Sequence, residues 1–179
     1  MVLNRIWVSL VLGILISGLT GPVRAEQQAV KIMMPWDGEG TVYTIGFDQL
    51  LFMGEFEGIM YVEKTGGELD AAYATCPASQ HIDIKNKQAK AQGYCTITVS
   101  SEDVVFAEWD CQGKVGACEG KLSLTGGTGR FAGVTGSSEM IVRSVLNTLV
   151  MGMGNGDAIR SATGLAIFPK LTYTLAKAK

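Results

Sequence analysis

Leu122-Ser-Leu-Thr-Gly126-Gly127-Thr128-Gly129-Arg130-Phe131-Ala132-Gly133-Val134-Thr135-Gly136 is the stretch on which the fold turns. An alternating strand, Lys121 to Thr125, runs into a glycine-dense corner, and a second strand starts at Gly136. The corner invites comparison with phosphate-binding loops, which read G-x-x-x-x-G-K-[ST], or G-x-G-x-x-G at the start of a long helix. Its own spacing, Gly127-x-Gly129-x-x-x-Gly133, matches neither. After Phe131-Ala132-Gly133 about one helical turn fits before the next strand, whereas a parallel crossover takes about a dozen residues or more. The segment therefore reads as scaffold, with glycines supplying backbone angles closed to other residues and Arg130 as a solvated loop side chain.

Outward from the corner the chain reads as strand after strand. Thr41 to Phe47 is β-branched and aromatic, and Gln49 to Glu63 places Phe52, Gly54, Phe56, Gly58, Met60 and Val62 on one face at period two. Glycines between large side chains on that face suit a tightly curved sheet. Met53, Glu55, Glu57, Ile59 and Tyr61 form the opposite, water-facing side. Leu69 to Thr75, Ala91 to Ser100, Val104 to Trp109, Ser137 to Leu149, Ala158 to Phe168 and Leu171 to Leu175 also read as extended. Glycine and polar turns at Lys64 to Gly67, Ser100 to Asp103, Gln112-Gly113 and Met153 to Asp157 separate most of them. No stretch after residue 25 sustains a 3.6-residue apolar period. Short strands without covering helices predict an all-β, antiparallel barrel or sandwich.

The first 25 residues read as a signal peptide. Arg5 gives a positive start, Ile6 to Leu19 is uncharged and apolar, and the run to Ala25 ends in small residues suited to cleavage. The apolar run is short against the roughly 20 residues that span a bilayer. Residues 26–179 are then expected to form one domain that buries about two thirds of its unfolded surface. The whole chain carries a formal charge of −2, and loss of Arg5 and Arg24 leaves it more acidic. With no dense run of Lys or Arg, neither nucleic acid nor a membrane is an expected partner once the signal is removed.

Cys76, Cys95, Cys111 and Cys118 all follow the signal, an even count that suits an oxidising compartment and a periplasmic or secreted location. Three pairings are formally possible. The two glycines within Cys111-Gln-Gly-Lys-Val-Gly-Ala-Cys118 suit a short loop between strands, which favours Cys111 with Cys118 and leaves Cys76 with Cys95. Zinc sites present closely paired C-x₂₋₄-C ligands, which these spacings lack, and His81 is the sole histidine. No metal or cofactor is expected.

The corner Gly126-Gly127-Thr128-Gly129-Arg130-Phe131-Ala132-Gly133, with Gly136 opening the next strand, resembles the GGTG-x-F/Y-x-G signature of the allene oxide cyclase barrel-like proteins, which are related in fold to dirigent proteins. The Gly93-Tyr-Cys95-Thr strand and the Asp103 to Trp109 strand further resemble the bacterial secreted branch of that group. The resemblance, strongest from Cys76 to Asn147, implies a single eight-stranded antiparallel barrel, open at one end, with an apolar cavity. Some members of this superfamily cyclise or orient apolar substrates by confinement, and no catalytic position of the plant cyclase matches here residue by residue.

Three functions are open on this reading. The first is a non-catalytic barrel that binds a small apolar molecule or serves a structural role, with Phe52, Phe56, Met60, Trp109, Leu122, Leu124, Met140 and Val142 as lining residues; packed core is the competing role for each. The second is a cofactor-free cyclase or isomerase, which needs a desolvated acid or tyrosine. Glu108, on one strand face with Val104 and Phe106, is its first candidate, ahead of Glu55, Glu57 and Glu139. The third is a homo-oligomeric assembly protein using the apolar run Val145 to Met153.

Overall fold

A computed structural model describes residues 27–64, 66–145 and 158–176. Eight strands follow one another in sequence: β1 (Gln27–Gly46), β2 (Gln49–Val62), β3 (Ala72–Asp83), β4 (Gln88–Thr98), β5 (Val104–Lys114), β6 (Ala117–Gly127), β7 (Thr135–Ser144) and β8 (Ala158–Thr174). Each pairs antiparallel with its neighbours, and β8 returns to β1 to close the barrel. A single 3₁₀ turn, Gly129–Phe131, joins β6 to β7, and no α-helix occurs among the described residues. The eight-stranded antiparallel barrel expected from the sequence is the architecture observed. The signal segment and most of the Val145 to Met153 run lie outside the described residues.

Alternation sets the wall. In β4 every second residue, from Ala89 through Cys95 to Ile97, is buried and the intervening ones are exposed. In β2 the Phe52 to Val62 face points inward, while Met53, Glu55, Glu57, Ile59 and Tyr61 face water. The glycines on the inner face give the aromatic rings their space: a Cβ on Gly38 would lie 2.5 Å from Phe56 Cδ1. The inside is apolar, and the outside mixes carboxylates and lysines with exposed Met33, Met53, Ile59 and Tyr94, unlike the polar lumen of a transmembrane channel barrel.

Several element boundaries differ from the sequence reading, and the turn expected at Gln112-Gly113 lies inside β5, which runs on to Lys114 and turns at Val115-Gly116. Leu69 and Asp70 belong to a turn, with Leu69 tucked into the core, and β3 begins only at Ala72. The two expected strands around Pro169 are one strand, β8. Ile32 pairs with Phe168 and Val30 with Leu171, so Pro169-Lys170 sits in a bulge, where proline's missing N–H costs no ladder bond. Finally, β1 starts well before Thr41, at Gln27.

The barrel has two unlike ends. At the corner end Phe131 is fully buried, and Leu69, Val105, Val134 and Leu171 are buried with it in the core. Gly129 has φ +55°, and a Cβ there would crowd Asp103 and lie 2.7 Å from the Glu102 carbonyl oxygen. Arg130 is no free loop side chain. Its backbone N–H donates to Asp103 Oδ1 at 2.9 Å, its Nε to Asp103 Oδ2 at 2.8 Å, and its Nη1 to Glu68. Thr128 adds a hydroxyl bond to the Glu102 carbonyl oxygen (2.6 Å) and accepts from Val104 N–H (3.1 Å). Three loops are thus tied together around the corner. Hydrogen bonds from the Arg130 backbone N–H, and then from its guanidinium, hold the Asp103 carboxyl below its ordinary range.

At the opposite, hairpin end the turns are stitched edge to edge by backbone bonds. Ile84 N–H donates to the Asp48 carbonyl oxygen, Val115 N–H to that of Lys87, and Ser144 N–H to that of Gly116.

Candidate functional site

The interior contains an apolar cavity of about 80 Å³. Its wall comes from every strand: Met34 and Trp36 on β1, Phe56 on β2, Cys76 on β3, Cys95 on β4, Trp109 on β5, Leu122 on β6, Met140 and Val142 on β7, and Ala166 and Phe168 on β8. Lys114, Gly116, Ala117 and Ser144 extend the lining to the hairpin end, and Lys114 is itself solvent-exposed. The cavity therefore reaches the rim there, while Phe131 and its neighbours close the corner end.

Aromatic packing shapes the wall. Trp36 meets Phe56 edge-on with centroids 5.1 Å apart, and Phe56 meets Trp109 at 6.2 Å. Such edge-to-face pairs align the positive ring edge with the negative ring face, contributing about 0.5–1.5 kcal/mol beyond area burial. Phe52 supports Phe56 from behind at 5.5 Å. Both disulfides, Cys76–Cys95 and Cys111–Cys118, have S–S distances of 2.06 Å and lie on the cavity wall. These are the pairings that loop length favoured.

Five of the eight expected lining residues, Phe56, Trp109, Leu122, Met140 and Val142, meet at this cavity. Phe52, Met60 and Leu124 do not line it: they are buried among other core side chains. Period two reports which way a side chain faces but carries no information about its height along the barrel axis. Met34, Trp36 and Phe168 were missed because β1 was not read that far upstream and β8 was divided at Pro169. Gly38, two residues on, leaves room for the Trp36–Phe56 pair, whereas Gly164, which makes room for the Trp36 ring, comes beside it only through β1–β8 pairing.

The carboxylates have a different disposition. Glu108 does share a face with Val104 and Phe106, but that face is the outer one, while Val105, Ala107 and Trp109 point inward. Glu55, Glu57 and Glu139 are exposed too. Among the described residues, Lys114 at the rim is the sole ionisable side chain on the cavity lining, apart from the disulfide-bonded cysteines. Tyr173, whose phenol burial pushes up and whose hydroxyl donates to Gln28 Oε1 at 2.6 Å, is not on the lining. A wall of this composition solvates apolar atoms, with polar side-chain groups on Gln80, Lys114 and Ser144 and the indole N–H donors of Trp36 and Trp109.

A second, wider groove of about 750 Å³ lies open to solvent on the outer wall, between Pro35, Asp37, Glu57, Tyr61, Tyr73, Arg143 and Leu165. There the neighbouring Glu57 carboxylate holds the Tyr73 phenol above its ordinary range. Of the apolar run proposed for assembly, Val145 alone is described, and it is exposed. No protein-family model matches this chain, and no curated protein matches its sequence.

Proposed function

We propose that the protein is an exported, non-catalytic barrel of the allene oxide cyclase-like group that binds the end of a small apolar molecule in its hairpin-end cavity. The observation that carries this reading is the cavity itself, mostly apolar on its wall and with Lys114 and Ser144 towards its rim. Its volume is about half that of the roughly 150 Å³ engineered cavity that accepts benzene. A space of that size takes the tip of an apolar chain, with the remainder emerging past Lys114 and Ser144.

The closed eight-stranded barrel and the GGTG corner between β6 and β7 support the family assignment. The apolar N-terminal run and the two disulfides support export to a periplasmic or extracellular compartment. A cyclase would need an acid or base facing substrate, and the described lining offers only Lys114.

Native mass spectrometry of the protein purified from its exporting cell tests the binding role. A lipophilic adduct in the natural protein that is lost in Val142→Phe is expected, because the larger side chain occupies the cavity. An adduct retained unchanged in the filled variant would place binding elsewhere.

A further inference from the structure

The hairpin end presents the most exposed large apolar side chain of the described residues, with lysines around it. Phe47, at the tip between β1 and β2, is 94 % exposed, and Ile45 and Ile84 beside it are 54 % and 45 % exposed. Exposing a whole phenylalanine at a turn forgoes about 1.5–3 kcal/mol of burial. The backbone bond from Ile84 to Asp48 sets the two tips side by side. Around them stand Lys85, Lys87 and Lys114, all exposed.

Carboxylates are few at this rim. Asp48 and Asp83 are the acidic residues of the described turns, and both oxygens of Asp83 accept bonds from Asn86, at 2.9 Å each. At the corner end Glu63, Glu68, Asp70, Glu102 and Asp103 stand against Lys31, Lys64, Arg130 and Lys170, with Lys31 paired to Glu63 and Arg130 held by Asp103 and Glu68. Among the described residues, the end where the cavity reaches the rim sets three lysines against two aspartates around its apolar tips, while the sealed end carries a slight excess of carboxylates, most of them paired.

We infer that the hairpin end docks on an anionic lipid surface, with Phe47 and Ile84 entering the headgroup boundary and Lys85, Lys87 and Lys114 facing the lipid phosphates. Apolar tips gain from leaving water, and each lysine near an anionic leaflet adds a Coulombic contribution that salt screens. Overall charge hid this arrangement, because net charge reports nothing about where the charges sit. Docking stands on the rim residues alone and does not depend on what the cavity holds. Where both hold, an apolar chain end passes from bilayer to cavity without crossing bulk water.

Vesicle co-sedimentation of the protein in the form its exporting cell accumulates tests the inference, using phosphatidylcholine vesicles with and without 30 mol % phosphatidylglycerol as an arbitrary working fraction, on the order of natural anionic content. The natural protein should bind the anionic vesicles, bind neutral ones far more weakly, and be released as salt rises. K85Q/K87Q should lose about fivefold in affinity for each lysine removed, and Phe47→Ser about tenfold or more. Val142→Phe should bind vesicles as the natural protein does, which separates docking from cavity binding. Failure of the natural protein to bind anionic vesicles overturns the inference, as does equal binding by both rim variants. Light scattering that shows Phe47→Ser dissolving a dimer, with vesicle binding unaffected, would assign the rim to a second copy and overturn it too.

Discussion

The two ends of the barrel solve opposite problems with the same strands. At the corner end, side chains from three loops converge on Arg130 and Phe131 closes the interior. At the hairpin end the turns meet through backbone bonds, and the lining of the cavity reaches exposed Lys114. The corner end is built for stability, and the hairpin end keeps space and exposed apolar surface that stability alone would remove. The glycine corner, conspicuous in sequence, belongs to the first of these and not to the site.

The largest effect expected is at the seal. Phe131→Ala should cost about 3–5 kcal/mol, since a fully buried ring leaves a cavity that its neighbours fill only in part. Denaturant midpoints measure it, and a loss well under 1 kcal/mol would show that the corner end is not the stabilising one. Next comes the hairpin end's own crosslink. Loop-closure entropy gives the Cys111–Cys118 bridge, with its sequence separation of 7, about 2.5 kcal/mol, against about 3 for Cys76–Cys95 at a separation of 19. Unfolding curves of the two paired Cys→Ser variants should preserve that order. The Cys111/Cys118 variant should also weaken ligand binding, because both cysteines line the cavity beside its rim.

Acid should act on the corner end in a defined direction. The folded Asp103 carboxyl titrates below its ordinary value of 3.8, so its contribution is complete above that pH and is lost as pH falls through the folded value. Urea midpoints of natural protein and Asp103→Asn should therefore differ near neutrality and converge in strong acid. A constant difference across the range would remove the ion pair from the account. The smallest change is expected from Phe47→Ser, which should leave the midpoint within about 0.5 kcal/mol because the ring has almost no protein contact to lose. Substantial destabilisation there would mean that the hairpin tip is structural.

What the sequence revealed follows the same division. The strand-corner-strand at Lys121 to Gly136 and the inward face of β2 were legible because local chemistry dictates them: glycine where φ is positive, and alternation where one face is buried. The start of β1 was obscure, since Met33-Met-Pro-Trp-Asp-Gly-Glu-Gly40 contains proline and two glycines and lacks β-branched residues. It becomes a strand through pairing with both β2 and β8, information that is not local. The same limit displaced Glu108. Its face was identified correctly, but whether Phe106 or Trp109 turns inward is decided by barrel closure. The rim was illegible for a related reason, because Phe47, Lys85 and Lys114 become neighbours only when three hairpins are stitched together.

The central claim, that the hairpin-end cavity receives an apolar chain, has a direct optical test. Trp36 and Trp109, the only tryptophans of residues 26–179, both line the cavity. A brominated n-alkane titrated into the purified protein should quench their fluorescence saturably, with Val142→Phe abolishing the saturable phase. Quenching that rises without saturation, or that is the same in the filled variant, would contradict the account.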